Sequence, residues 1–538
     1  MRLTRRLLLS TGAAALAAPA LVRAQAPLRL TVLHTNDVHS RHEPINRLGA
    51  ACRAEEQQAG SCFGGSARLA AALVAERAAA GAEGRIVLTL DAGDQFMGSL
   101  FYTHWRGEAE REVMNAIGYD AMTVGNHEFD NGPPVLARFA ASLACPLLSA
   151  NIDATGEPAL APLIRPFTVI ARGGARIGIV GLTTADTPRI SSPGPGVRFG
   201  EEVAALGTGV QAARAAGAEV VIALTHVGLG LDQRLAAAVP GLSAVVGGHS
   251  HTLLSNSADG AEGRYPLPVH GASGFAVPVV QAGANNRYLG RLDLDLDRSG
   301  RVLAASGDAR ELGFADPRHP GVEALVARLA EPLAALRARV IGTLEEGVTN
   351  AECRRGECAL GNLVAEAMLE AGRAGGATIA LQNGGGLRAG LPSGPVTWGD
   401  VLAVLPFANT LATLRLSGAD IRAALENGLS GVEQGAGRFP QVAGLRFTWR
   451  PEAPPGQRLV SVSVRTAEGG YAPLDDQRLY TVVTNNFLRR GGDNYAVLRD
   501  RAIDPYDSGP NLEEVFEAWL ARRSPVTPAT DGRIARAQ

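Results

Sequence analysis

The chain has 538 residues, with 51 basic against 53 acidic and a formal net charge of −2. That length exceeds what one ordinary core organises, so two or more domains are expected, and 46% hydrophobic with 19% charged residues is a globular balance, while near-neutral charge argues against a dedicated nucleic-acid binder. Lysine is absent, so every basic residue is arginine; this excludes a Walker-A lysine, a Schiff-base lysine and a Ser–Lys dyad, and leaves phosphate chemistry to metals, arginines, histidines and backbone N–H groups.

The N-terminus reads Thr4-Arg5-Arg6-Leu7-Leu8-Leu9, then an Ala-rich apolar run to Val22, then Ala24-x-Ala26. A charged start, a short apolar middle and a small-residue cleavage site predict a signal over residues 1–26. The paired arginines point to the twin-arginine translocase as the partner during export. Cleavage is expected after Ala24 or Ala26, and the mature protein in a bacterial periplasm or outside the cell. No later run is long and apolar enough to span a bilayer, and the C-terminus lacks the hydrophobic tail of a lipid-anchor signal, so no membrane anchor is expected. The cysteines fit an oxidising compartment. Cys52 with Cys62 and Cys353 with Cys358 each bracket a short polar loop and read as local disulfides, leaving Cys145 as a buried thiol.

From Leu28 to about Leu294, short β-branched or apolar runs alternate with Ala-rich helical stretches. Leu30–Leu33, Ile86–Leu90, Ala121–Val124, Ile177–Val180, Val220–Leu224 and Ala244–Val246 read as buried strands, with helices over Ala67–Ala80 and Val203–Ala215. This pattern indicates a layered α/β fold. Pro317–Arg339 has apolar helical spacing and is expected to link two units. A second unit follows, with a helix around Leu360–Ala371 and strands around Thr378–Leu381, Arg446–Trp449 and Tyr480–Val483.

Chemistry-bearing residues sit just after the strands. The first runs into Asn36-Asp37-Val38-His39, the second into Asp91-Ala92-Gly93-Asp94 and the third into Gly125-Asn126-His127-Glu128-Phe129-Asp130. Later strands end in Thr225-His226 and in Gly247-Gly248-His249-Ser250-His251. Ligand sites of open α/β sheets lie beyond the carboxyl ends of strands. Of the ten histidines in the chain, five fall at these ends. Mixed Asp, Asn and His ligation suits Zn, Mn, Fe or Co better than Mg or Ca, which favour all-oxygen shells. His34 and His42 lie nearby and read as structural.

The blocks Asp37-x-His39, Gly93-Asp94, Gly125-Asn126-His127-Glu128, His226 and Gly248-His249-Ser250-His251 resemble the calcineurin-like metallophosphoesterase signature. The fuller strings LHTNDVHSR, LDAGDQ, GNHEFDNG and VVGGHSHT resemble the 5′-nucleotidase family, and the resemblance runs from about Leu28 past Tyr495. It implies an α/β/β/α calcineurin-like metallophosphoesterase domain over 27–316, a linker helix over 317–340, an α/β 5′-nucleotidase substrate domain over 341–525 and a tail over 526–538. It also implies two divalent ions (Zn, Mn or Co), one held by Asp37, His39 and His251 and the other by Asn126, His226 and His249, with Asp94 bridging. His127 and Asp130 would form a catalytic pair.

In the second unit the resemblance rests on Cys353-Arg354, Asn383-Gly384-Gly385-Gly386-Leu387-Arg388, Pro406-Phe407, Asn486-Phe487 and Gly491-Gly492-Asp493-Asn494-Tyr495. It implies that Phe407 and Phe487 sandwich a base, Asp493 binds ribose, Asn383 meets the base edge, and Arg354 and Arg388 bind phosphate. Aromatic faces and arginine forks suit those tasks, and a Cys353–Cys358 disulfide would hold Arg354. The expected activity is hydrolysis of a 5′-nucleotide to nucleoside and phosphate. A 2′,3′-cyclic phosphodiesterase with 3′-nucleotidase activity, a UDP-sugar hydrolase, a SoxB-like thiosulfate-processing hydrolase and a solute-binding protein remain the alternatives. Oligomeric state is not legible.

Overall fold

The computed structural model describes residues 27–46, 51–52, 54–271, 274–407, 409–433, 435–507 and 509–537. The segment read as an export signal lies outside them. The apolar runs of the first half become strands buried on both faces: Leu28–Thr35 pairs in parallel with Ile86–Asp91 and antiparallel with Tyr288–Leu296. These belong to a seven-stranded sheet whose far edge carries Ala121–Thr123, Leu147–Leu148 and Ile164–Arg165. A six-stranded sheet contains Ala175–Thr183, Val220–His226, Ala244–Val246 and Ala276–Val280 in adjacent positions.

The two sheets meet through an apolar layer that includes Leu30, Val32, Leu88, Leu90, Ile177, Ile222 and Val246. Helices Ser66–Ala82, Glu108–Ile117 and Pro133–Ala141 cover the outer face of the first sheet. Glu202–Ala215 and Leu229–Ala238 cover that of the second. The result is α/β/β/α layering, with the carboxyl ends of both sets of parallel strands opening on one rim.

Helix Pro320–Arg337 follows. Proline at its first turn suits a position whose N–H would lack a helical partner, and the His319 side chain accepts from the Val322 N–H. Its buried face, Val322, Val326, Leu329 and Leu333, joins Leu69, Leu73 and Phe101 on one side. The same apolar cluster continues through Trp398, Val401, Phe516 and Trp519 beyond the helix. Trp105 Nε1 donates to the Leu329 carbonyl at 2.9 Å, fastening the helix to the first half.

The second half is built on a five-stranded sheet ordered Pro440–Ala443, Ile379–Asn383, Leu479–Asn485, Leu411–Ser417, Ile503–Tyr506. A four-stranded sheet adds Tyr471–Pro473, Leu459–Arg465, Leu445–Trp449 and Ile534–Arg536. The segment read from sequence as a tail therefore contributes a strand, Ile534–Arg536, parallel to Leu445–Trp449. Three residues give too short an alternation to mark a strand by themselves. No helix among the described residues is long and apolar enough to cross a membrane.

Candidate metal centre and substrate cleft

The strand-end loops of the first half are tied to one another. Asp37 N–H donates to the Gly93 carbonyl at 2.9 Å, His39 N–H to that of Asp94 at 3.0 Å, and Ser40 N–H to that of Gln95 at 2.8 Å. Fully buried Glu128 accepts from the N–H groups of Asp94, Gln95, Phe96 and Gly125 at 2.6 to 3.2 Å. The loops after the second and third strands are thereby one unit. Gly125 has to be glycine, because a Cβ there would lie 2.1 Å from Asp94 Oδ1.

On these loops Asp37, His39, Asp94, His249 and His251 all have φ between 50° and 78°. Side-chain-bearing residues rarely adopt that region, and clusters of them mark functional sites. Asp37, His39 and His251 converge as one group and Asp94, His226 and His249 as a second, the ligand atoms of each within 4.8 Å of one another. His226 Nδ1 lies 2.7 Å from the Ala92 carbonyl, which aims Nε2 at Asp94 Oδ2, 3.0 Å away. His39 Nδ1 lies 3.2 Å from the Phe96 carbonyl, and its Nε2 is 2.9 Å from His251 Nε2.

Burial holds His39 and His249 at about 3, so both present neutral imidazoles. Burial alone would raise Asp37, but His251 and His226 outweigh it and hold the carboxylate at about 2. Asn126 is buried with both Oδ1 and Nδ2 lacking a hydrogen-bond partner. Orphaned buried amide groups are costly. Burial opposes a charge on His226, but Asp94 and Asp37 outweigh it and hold that imidazole at about 10, so it would release its proton to a metal. Converging imidazoles, carboxylates and an unpartnered amide oxygen are the donor set of divalent transition metals, so these residues fit such ions.

Beside the cluster, His127 Nδ1 is 2.7 Å from Asp130 Oδ2, and His127 N–H donates to Asp94 Oδ1 at 2.9 Å. Burial would lower the imidazole, but Asp130 and Asp94 outweigh it and hold it at about 9. The other Asp130 oxygen accepts from Ser191 Oγ at 2.8 Å. His34 and His42 take structural partners: His34 Nε2 is 2.8 Å from the Tyr265 hydroxyl, and His42 Nδ1 is 2.9 Å from Ser66 Oγ.

The cluster opens on a cleft of about 720 Å3, whose opposite wall includes Asn409, Asn486, Arg489, Arg490 and Asp507 from the second half. A further cavity of about 720 Å3 brings together Arg354, Asn383, Arg388, Phe407, Phe487 and Asp493. The two share His251, Asn285, Phe407 and Asn409. Asn383 Nδ2 donates to Asp493 Oδ2 at 2.8 Å, and the Arg388 guanidinium lies 5.8 Å from the Phe407 ring centre. Phe487 is 44% exposed, so one ring is open for stacking.

Cys353 and Cys358 form one disulfide and Cys52 and Cys62 another, while Cys145 is free and buried. The Cys353 carbonyl accepts from Gln441 Nε2, and a Cβ on Gly384 would lie 1.8 Å from it, which explains glycine directly after Asn383. Glu128, Ser191, Arg489, Arg490 and Asp507 carry no mark of their roles in the sequence. Glu128 sits inside a quoted block, Arg489 and Arg490 lie between the quoted Phe487 and Gly491, and Ser191 and Asp507 are brought to the site only by the fold.

The calcineurin-like phosphoesterase family model matches residues 30–253, and the 5′-nucleotidase C-terminal domain model matches residues 340–500. A 5′-nucleotidase of Diplobatis ommata is 36% identical over 532 residues, which is 95% of this chain and 90% of that protein. The crystal structure of a 5′-nucleotidase precursor from Thermus thermophilus is 40% identical, with a TM-score of 0.62 over 95% of this chain and 99% of that one. The NAD nucleotidase of Haemophilus influenzae is 25% identical, with a TM-score of 0.74 over 95% of this chain and 100% of that one. With both domain models in order and this identity along nearly the whole length, the chain belongs to the 5′-nucleotidase family.

Proposed function

We propose that this protein is a metal-dependent phosphohydrolase that removes phosphate from 5′-nucleotides. One observation carries the reading: two metal-binding groups and an orphaned buried asparagine open on a cleft that abuts a cavity lined by two phenylalanines, an aspartate and two arginines. Asp37, His39 and His251 would hold one divalent ion and Asn126, His226 and His249 the other, with Asp94 between them; Zn, Mn and Co all suit this donor set. Such a pair lowers the pKa of a water and neutralises phosphoryl oxygens.

The remaining work falls to the chain. Phe407 and Phe487 stack the base, Asp493 accepts from ribose hydroxyls, and Asn383, which holds Asp493, faces the base edge. Arg354 and Arg388 bind phosphate as forks. Water adds to phosphorus as the bond to the ester oxygen breaks, the bonding pair leaving with that oxygen. His127, its Nδ1 held by Asp130, turns Nε2 to the cleft, where the imidazolium stabilises charge and supplies the proton to the leaving oxygen. The first domain would span 27–316, the linker 317–340 with its helix Pro320–Arg337, and the substrate domain 341–525 together with the strand Ile534–Arg536. The disulfides support a secreted or periplasmic location.

The reading is tested by phosphate release from AMP, ADP, UDP-glucose and 2′,3′-cyclic AMP after loading with Mn, Zn or Co. AMP hydrolysis is expected, slowed about 10² to 10⁴ in kcat by His127→Ala and weakened mainly through KM by Phe407→Ala with Phe487→Ala. No hydrolysis of any of the four by loaded protein overturns it.

A further inference from the structure

Another cavity, of about 250 Å3, lies between the two halves and has no task in nucleotide hydrolysis. Leu100 and Phe101 line it from the first half, and Trp398 and Leu402 of helix Trp398–Val404 from the second. Arg41, Asn511 and Glu513 line it as well. Asn511 and Glu513 are buried, and Arg41 Nε, Asn511 Oδ1 and Glu513 Oε2 all lack a hydrogen-bond partner. Asn511 precedes helix Leu512–Arg523, yet its side chain caps none of that helix's N–H groups. Orphaned buried polar groups are costly, and three of them on one small cavity mark a place for a ligand. Of the charges nearby, Glu43 and Arg337 pair with each other at 3.1 Å. Burial raises the Glu513 carboxyl to about 8, with Glu514 adding to the rise and Arg41 opposing it, so at neutral pH this group is a hydrogen-bond donor. Glu514 is raised in the same direction and accepts from Thr103 Oγ1 at 3.4 Å. Arg41 makes no ion pair among the described residues. An apolar cavity of about 150 Å3 takes benzene, so this one takes a single ring bearing a small group.

We propose that this cavity binds a small apolar monocarboxylate, a single ring or branched chain whose carboxylate meets Arg41 while its body lies against Phe101, Trp398 and Leu402, and that the bound molecule clasps the two halves together. The carboxylate accepts from Arg41 Nε and from the Glu513 hydroxyl, and the Asn511 amide turns to give its N–H. The apolar body leaves water for the aromatic and aliphatic walls. A phosphate, hydrophilic on every side, would leave those walls uncovered, so the chemistry is that of a carboxylate with an apolar body. Because both halves supply the walls, the ligand binds the arrangement in which they meet and stabilises it. Arg41 and Gly98 also line the metal-side cleft, and Pro406, on the cavity wall, directly precedes Phe407. The ligand therefore touches the walls of the nucleotide site without entering it, and a clasp there slows any turnover that needs the halves to part. Binding itself does not depend on the nucleotide reading; only the effect on turnover rests on it.

Titration calorimetry on metal-loaded protein with benzoate, benzamide and benzylamine tests the charge requirement. Benzoate is expected to bind about tenfold more tightly than benzamide, as for one charge-assisted contact, and benzylamine not to bind. Ala403→Phe fills the cavity from helix Trp398–Val404 and lines neither of the other two, so it is expected to abolish benzoate binding. In Arg41→Gln the preference for benzoate over benzamide should disappear, and this ratio decides alone if the filled variant does not fold. Phe487→Ala is expected to leave benzoate binding intact, which separates this cavity from the one that would take the nucleoside. No binding, equal binding of benzoate and benzamide by wild type, or benzoate binding kept in Ala403→Phe overturns the site. Saturating benzoate is expected to lower kcat for AMP in wild type and not in Ala403→Phe; bound benzoate with kcat unchanged overturns the clasp. No AMP hydrolysis by loaded wild type, with benzoate still bound, leaves the site standing and overturns the hydrolase reading instead.

Discussion

Asp130 is held at both carboxylate oxygens, by His127 on one and by Ser191 on the other. Removing the Ser191 hydroxyl frees the carboxylate to rotate away from the imidazole without touching substrate. A net hydrogen bond is worth about 1 kcal/mol, so Ser191→Ala is expected to lower kcat about fivefold with KM unchanged, and Ser191→Thr to restore most of it. Loss of the imidazole itself, in His127→Ala, should cost about 10² to 10⁴ in kcat. Steady-state kinetics on AMP separates the two effects.

Away from the cluster, burial raises the Glu513 carboxyl to about 8, Glu514 adding to the rise and Arg41 opposing it. A carboxyl raised in the folded state binds its proton more tightly than in the unfolded chain. Stability from this group is then full at low pH and declines as pH climbs from the ordinary glutamate range toward 8. Glu513→Gln should therefore raise the melting temperature at pH 8 more than at pH 5, each tenfold difference in proton affinity being worth about 1.4 kcal/mol. Calorimetric melts at the two pH values check the sign.

The residues that converge in the two candidate metal groups were legible in the sequence because each lies within a short block at the end of a strand. Ser191 was not, being 61 positions from the aspartate it orients. Glu128 was visible as a letter in such a block, but its task of accepting four backbone N–H groups exists only once the loops have met.

At the scale of elements, the loops that carry the two candidate metal groups combine left-handed backbone with buried, unpartnered polar groups. Metal binding to the folded state alone should stabilise it by about 2.7 kcal/mol at a hundredfold excess over Kd. Chelation is thus expected to lower the melting temperature and re-addition of Mn or Zn to restore it. The Cys353–Cys358 bridge closes a loop whose carbonyl also anchors Gln441. Its loss should cost about 2 kcal/mol by the loop-entropy relation, and Cys353→Ser with Cys358→Ser should raise KM for AMP through the loosened Arg354. Strands and helices with long apolar runs were readable with ends shifted by a few residues. The strand Ile534–Arg536 was not, because its partner Leu445–Trp449 lies far off in sequence and nothing local requires the pairing.

At the scale of the whole molecule, the 40% identical Thermus protein superposes less well, at 0.62, than the 25% identical Haemophilus protein at 0.74. A different angle between two similar bodies would give such an inversion. The linker helix shares the apolar cluster that spans both halves along Val322, Val326, Leu329 and Leu333, and Trp105 of the first half donates to its Leu329 carbonyl. A change of angle is therefore expected after Arg337, where the helix ends, and before strand Val340–Leu344 begins. Sequence periodicity located that helix but could not say what it packs against, since that is decided by the fold.

The indole bond to Leu329 has one more consequence. Of the four tryptophans, Trp398, Trp449 and Trp519 lie beyond the helix and Trp105 alone before it, so the protein carries its own optical probe at the boundary. With the other three replaced by phenylalanine, emission from Trp105 should stay constant when nucleotide is added, because helix and indole travel together. A shift in its colour on nucleotide addition would place the moving joint on the near side of the helix, at its N-terminal end.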